Sequence, residues 1–169
     1  MKTITTKRLC RSSIICALYV VLSYTFLPFA FGSIQLRPAE TLCILPLFYV
    51  EAIPALFIGC ALVNLSSPFL FYDVIFGSLT TLIASFITYL VGKYFKKDLF
   101  KLTFGGLAPV LLNALIIPFV ILLVGGESGS VYFTYVLLIA IEESLCVYGL
   151  GVPFYFAIKR IKKRLQILN

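Results

Sequence analysis

The chain has 169 residues, 61% of them apolar and 12% charged, with a formal net charge of +7 and a mean hydropathy of +1.06. About a quarter of the residues in an ordinary soluble domain are charged, and a small domain leaves too much of its surface in water to hide this much apolar side chain. A water-soluble fold is thereby excluded, and the expectation is one membrane-embedded, all-α domain covering residues 1–169.

The basic start MKTITTKRLCR leads into an apolar stretch, Ile14 to Phe31, with no small-residue cleavage site, so it reads as a retained first span. A span needs about 20 apolar residues, fewer where the bilayer adapts. The second span starts at Pro38 and ends near Val50, and the third runs from Pro54 to Leu65; both open on a proline in the first turn, where a helix tolerates it. The fourth runs from Asp73 to Val91, the fifth from Leu107 to Val124 and the sixth from Tyr132 to Ile158. Gly125 to Gly129 forms a loop, and Gly149, Gly151 and Pro153 mark close packing or a kink in the sixth span. The runs are continuous, without the alternation of a transmembrane barrel.

Charge fixes the expected orientation. Lys2, Lys7, Arg8 and Arg11 precede the first span; Lys93, Lys96, Lys97 and Lys101 join the fourth to the fifth; Lys159, Arg160, Lys162, Lys163 and Arg164 follow the sixth. Under the positive-inside rule all three clusters are cytoplasmic, so both termini lie inside and the number of spans is even. The positive charge then needs no nucleic acid to explain it, and membrane lipid is the expected neighbour of the basic C-terminal helix.

An ionisable group inside a span is expensive and marks function by default. At roughly 1.5 Å of rise per residue, Glu142 and Glu143 lie roughly 25 Å above the inner face, Asp73 roughly 30 Å, Asn64 roughly 20 Å and Asn113 roughly 18 Å. Gln35, Arg37 and Glu40 belong to the outer connection and the start of the second span. Polar groups from distant segments thus gather in the outer half, as in a pocket open to the outside. Single residues have plainer uses. Glu40 suits a helix dipole, Arg37 pairs with Glu40 or snorkels, Asp73 and Glu51 serve as caps, and the asparagines join helices. Adjacent Glu142 and Glu143 point about 100° apart, so at most one of them readily faces a given cavity. Carboxylates accept paired N–H bonds and aromatic faces stack on planar rings. These groups, with Tyr72, Tyr132, Tyr135 and Tyr148 nearby, suit a flat ligand rich in N–H donors. The same tyrosines also fit an interfacial belt.

Five cysteines without C-x-x-C spacing read as packing residues. Histidine, the commonest metal ligand and general base, does not occur. No phosphate-binding loop is present for ATP hydrolysis. The expectation is a protein without catalytic residues, metal or cofactor, energised by other subunits. Ser13 and Ala17, four apart and small, would let a partner helix approach the first span closely.

Several stretches together resemble the QueT family, substrate-binding (S) components of energy-coupling factor (ECF) transporters. They are ALYVVLS at Ala17, FGSIQLRPAETLCILPLF at Phe31, EAIPALFIGCALVNLSSPF at Glu51, DVIFGSLTTLIA at Asp73, APVLLNALI at Ala108 and EESLCVYGLGVPF at Glu142. The resemblance implies a six-helix integral protein of the bacterial cell membrane with both termini cytoplasmic, capturing a queuosine precursor or queuine, a 7-deazaguanine base, from outside. It implies a transmembrane coupling protein and two ATPases as partners. Ser13-x-x-x-Ala17 takes the place of the family's Ala-x-x-x-Ala contact. The substrate residues it implies are Gln35, Arg37, Glu40, Asn64, Asp73, Asn113 and Glu143, with Glu142 as the alternative to Glu143. In this reading Glu143 accepts the guanine-type N–H pair, Asp73 or Glu40 faces an aminomethyl cation, and the asparagines read the remaining edge. Three other readings stay open: an S component for another vitamin-like metabolite, a membrane enzyme using the carboxylates as metal ligands, and a structural subunit whose carboxylates bridge helices.

Overall fold

The structure, a computed structural model, describes residues 6–30, 37–68, 70–125 and 129–167; Gln35 and most of the loop after Gly125 lie outside them. Among the described residues every element is helical. Among the described residues six main helices follow one another in the expected order, with one further helical turn, Leu27–Ala30, after the first. α1 is Thr6–Thr25, α2 is Pro38–Leu47, α3 is Ala52–Asn64 and α4 is Leu70–Tyr94. α5 is Asp98–Gly125, and α6 occupies residues 129–167. Three of them are long and apolar enough to cross a membrane: α4, α5 through Val124, and α6 through Arg164. α2 and α3 are apolar but shorter.

α2 is a 3₁₀ helix with Pro38 at its start and Pro46 inside it. Each 3₁₀ residue rises about 2.0 Å rather than 1.5 Å, so its ten residues reach about 20 Å, a third farther than the same α-helix. It is also the centre of the molecule. Ala39, Glu40, Leu42, Cys43, Ile44, Leu45 and Leu47 are all buried, and α2 touches each of the other five helices. Around it α1 packs on α3, α3 on α4, α4 on α5 and α5 on α6.

The outer helices are built inside out. On α6, Phe133, Leu137, Ile141 and Leu145 are all more than half exposed and fall four residues apart, one stripe along one face. α5 carries a similar stripe in Leu107, Leu111, Leu115, Phe119 and Leu123. The inward faces hold the polar residues. On α4 the buried face is Ser78, Thr81, Ser85 and Thr88, small hydroxyl residues at alternating spacings of three and four. Small side chains let neighbouring helices approach closely. Thr88 Oγ1 donates to the Gly105 carbonyl of α5 at 2.8 Å, and a Cβ at Gly92 would stand 2.9 Å from the Leu47 backbone of α2.

The three basic clusters meet at one end. The Arg11 Nη1 of α1 lies 2.5 Å from Glu51 Oε1, at the turn between α2 and α3. Lys162 of α6 lies over the Tyr49 ring of the same turn, 5.1 Å from its centroid. Lys159 of α6 pairs with Asp98, the first residue of α5. Two expectations need correction here. Glu51 occupies the N-cap position of α3 but makes no side-chain cap; its carboxylate serves Arg11 instead. α5 begins at Asp98 rather than Leu107, because Phe100 and Phe104 pack against Phe95 and Asp98 is held by Tyr155 and Lys159. Those tertiary contacts extend the helix beyond its apolar run.

Candidate functional site

Away from the basic end, the buried polar side chains form three linked groups. The first centres on Glu40, which is 1% exposed. Tyr19 of α1 donates its hydroxyl to Glu40 Oε1 at 2.5 Å, and the Cys43 thiol lies 2.9 Å from Oε2. Glu40 was expected at the rim, as the start of a helix. The structure puts it inside, because α2 runs through the middle of the bundle and turns its first carboxylate toward α1.

The second group joins α3 to α4. Asn64, fully buried, donates from Nδ2 to the Asp73 carbonyl at 2.8 Å. Ser67 donates to Asp73 Oδ2. Asp73–Gly77 is a π-helical turn, a device that alters the intrahelical hydrogen-bond pattern and recurs at functional sites. Asp73 is therefore inside α4, three residues past its start, and not its N-cap. Gly77 belongs to the same arrangement: a Cβ there would stand 2.6 Å from Asn64 Nδ2, so glycine is what lets the amide reach across.

The third group joins α5 to α6. Asn113 Nδ2 donates to Glu143 Oε1 at 2.8 Å, and both residues are buried. Glu143 Oε2 and Asn64 Oδ1 are buried acceptors with no hydrogen-bond partner among the described residues. Glu142 is buried as well and lies within electrostatic reach of Glu143. A second π-helical turn, Leu145–Leu150, follows immediately, and its Cys146 carbonyl accepts from Thr41 Oγ1 of α2 at 3.1 Å.

Arg37 links the three groups. Its guanidinium lies within electrostatic reach of Tyr19, Glu40 and Asp73, and also of Glu143. Three buried carboxylates, Glu40, Asp73 and Glu143, thus lie within electrostatic reach of one half-buried guanidinium. The arrangement can accept hydrogen bonds from a ligand and can balance a positive charge. Among the described residues no three side chains of metal-ligating type converge on one point.

Tyr19, Cys43 and Ser67 were not foreseen in these groups, nor were Cys60 of α3, whose Sγ accepts from Asn64 Nδ2 at 3.4 Å, and Thr81 of α4, which donates to the same sulfur at 3.3 Å. A mid-span tyrosine was the readable signal at Tyr19, since a buried phenol needs a partner. The tyrosines considered for ligand stacking do other work. Tyr132 donates to the Leu115 carbonyl and Tyr148 to the Thr103 carbonyl, both pinning α6 to α5. Tyr72 is exposed and stacks on Phe76. Ser13 and Ala17 lie elsewhere, exposed on α1 beside an apolar groove of about 540 Å³ that is also lined by Ala55, Ile58 and Leu62 of α3.

A model of the QueT transporter family matches residues 9–160. The chain belongs to the QueT transporter family. The match spans four of the six helices, α2 to α5, in full, and all of α1 and α6 but their terminal turns. The chain is also similar to "Queuosine precursor transporter QueT" of Lactococcus lactis subsp. cremoris (strain MG1363), 38% identical over 90 residues. That alignment covers 52% of this chain and 53% of the relative, about half of each. No solved structure matches the chain. A QueT transporter is not an enzyme by family, and three long apolar helices suit a membrane protein.

Proposed function

We propose that the chain is the substrate-capture component of an ECF importer in a bacterial cell membrane, and that it takes a queuosine precursor, a 7-deazaguanine base, from outside. Family membership and the name of the Lactococcus lactis relative support the substrate class. The observation that carries the site is Glu143: one carboxylate oxygen is held by Asn113 and the other is buried without a partner among the described residues. A guanine-type edge offers paired N–H donors, and a carboxylate is the side chain that accepts them best.

In this reading Glu143 and Asn113 take the pyrimidine edge, Asn64 offers its carbonyl oxygen, and Asp73, with Glu40 behind it, faces an aminomethyl cation. Arg37 and Gln35 close the site from the outer connection, and Glu142 adjusts its charge. All six helices cross the membrane, with both termini cytoplasmic. The groove beside Ser13 and Ala17 receives a helix of the transmembrane coupling protein, to which two ATPase subunits supply the energy.

Equilibrium binding to the purified chain tests the substrate. 7-Aminomethyl-7-deazaguanine or queuine should bind, and thiamine and riboflavin should not. Binding of a vitamin with no response to any deazaguanine would reassign the ligand and leave the fold untouched.

A further inference from the structure

The basic end carries two adjoining concavities that the capture site does not use. One, of about 430 Å³, is lined by Arg8 and Arg11 of α1, Phe48, Tyr49 and Glu51 of the α2–α3 turn, and Lys162 of α6. The other, of about 340 Å³, is lined by Phe48, Lys159, Lys162 and Lys163. Phe48 and Lys162 form the wall between them.

The charges there are unevenly compensated. Arg11 is paired with Glu51 and Lys159 with Asp98. Arg8, Lys162 and Lys163 form no ion pair among the described residues. Lys162 is nevertheless held in place: its ammonium stands 5.6 Å from the Phe48 ring centroid and 5.1 Å from that of Tyr49. The Arg11 guanidinium sits 4.1 Å from the Tyr49 centroid. Cation–π contacts of this kind fix a cation without neutralising it. The site lies where the apolar helices end, and Leu9 and Ile161 stand more than half exposed on the two helices that supply its cations. A soluble anion has no use for such apolar flanks, whereas a phospholipid has acyl chains to lay on them.

We propose that these paired concavities form a specific site for the phosphate headgroup of an anionic phospholipid, with Lys162 shared between them and Arg8 and Lys163 on either side. A bound lipid would tie α1, the α2–α3 turn and α6 together at this end, distinct from the diffuse attraction of any basic tail for an anionic surface.

The test is native mass spectrometry of the full chain in mixed micelles holding equal amounts of phosphatidylglycerol and phosphatidylcholine. Phosphatidylglycerol should be retained in preference. The Arg8→Gln/Lys162→Gln double variant should lower that retention by roughly an order of magnitude, given the usual worth of a basic residue near an anionic surface. Lys93→Gln/Lys96→Gln, at the same end but outside both concavities, should leave it unchanged. Equal retention of the two lipids would overturn the proposal. So would equal losses in the two double variants, which would mean diffuse attraction. Displacement of the lipid by free glycerol phosphate would assign the site to a soluble anion instead. Deazaguanine binding should be the same in both variants, so failure here is separable from failure of the capture site.

Discussion

Glu40 and Glu143 are both buried carboxylates, yet their oxygens are used differently. Both oxygens of Glu40 are engaged, by Tyr19 and Cys43. Glu143 has one oxygen engaged and one without a partner. Replacing each by glutamine should therefore separate stability from binding. Glu143→Gln keeps a carbonyl for Asn113, so thermal unfolding in detergent should shift little. It removes a charged acceptor worth about 1.5–3 kcal/mol, so affinity for 7-aminomethyl-7-deazaguanine should fall about tenfold to a hundredfold by calorimetry. Loss of stability with unchanged affinity would make Glu143 a helix bridge and no more. Glu40→Gln should do the opposite, setting an amide N–H₂ against donors that need an acceptor and destabilising the fold by about 1–3 kcal/mol. Gly77→Ala acts on the same region through shape. Its methyl would meet Asn64 Nδ2, displace that amide from the Asp73 carbonyl and destabilise the fold by about 1–3 kcal/mol, visible as a lower unfolding temperature.

At the scale of elements, the irregular turns carry the design. The two π-helical turns sit beside the polar groups, at Asp73–Gly77 and Leu145–Leu150. Each has a backbone carbonyl that accepts from a distant side chain, Asp73 from Asn64 and Cys146 from Thr41. The central 3₁₀ helix α2 is narrow enough to be enclosed by five neighbours, and Gly92 lets α4 reach its backbone. Gly92→Ala would place a methyl 2.9 Å from the Leu47 Cα and carbonyl. Backbone cannot yield as a side chain does, so a loss of about 1–3 kcal/mol is expected, read as a lower unfolding temperature with deazaguanine affinity retained in the folded fraction. Much of this was legible beforehand. The apolar runs and their prolines announced six helices, and the buried amides and carboxylates stood out by their cost in an apolar span. What was not legible was long-range or conformational. Tyr19 meets Glu40, Arg11 meets Glu51 and Lys159 meets Asp98 across separate helices, and no local pattern encodes such pairings. The 3₁₀ winding of α2 answers to its crowded surroundings, not to a propensity its residues display.

Taken whole, the molecule has a basic end, a polar interior displaced from it, and apolar stripes outside. The α2–α3 turn belongs to the basic end, because Glu51 and Tyr49 meet Arg11 and Lys162 there. α2 therefore runs toward that end and α3 away from it, short as both are. If each also crosses the bilayer, three positions must label in a fixed pattern. Cys10 is exposed near the start of α1, Val50 is 41% exposed at the α2–α3 turn, and Ser130 is exposed at the start of α6. In intact cells a membrane-impermeant maleimide should miss Cys10, and it should miss Val50→Cys in a Cys10→Ser background. It should react with Ser130→Cys in that background. After permeabilisation Cys10 and Val50→Cys should react as well. The remaining cysteines, Cys16, Cys43, Cys60 and Cys146, are half-buried or buried in helices and should stay silent. Reaction of Cys10 in intact cells would reverse the orientation. Failure of Val50→Cys to react under any condition would leave α2 and α3 as a hairpin enclosed within the membrane, because the turn would then never reach water.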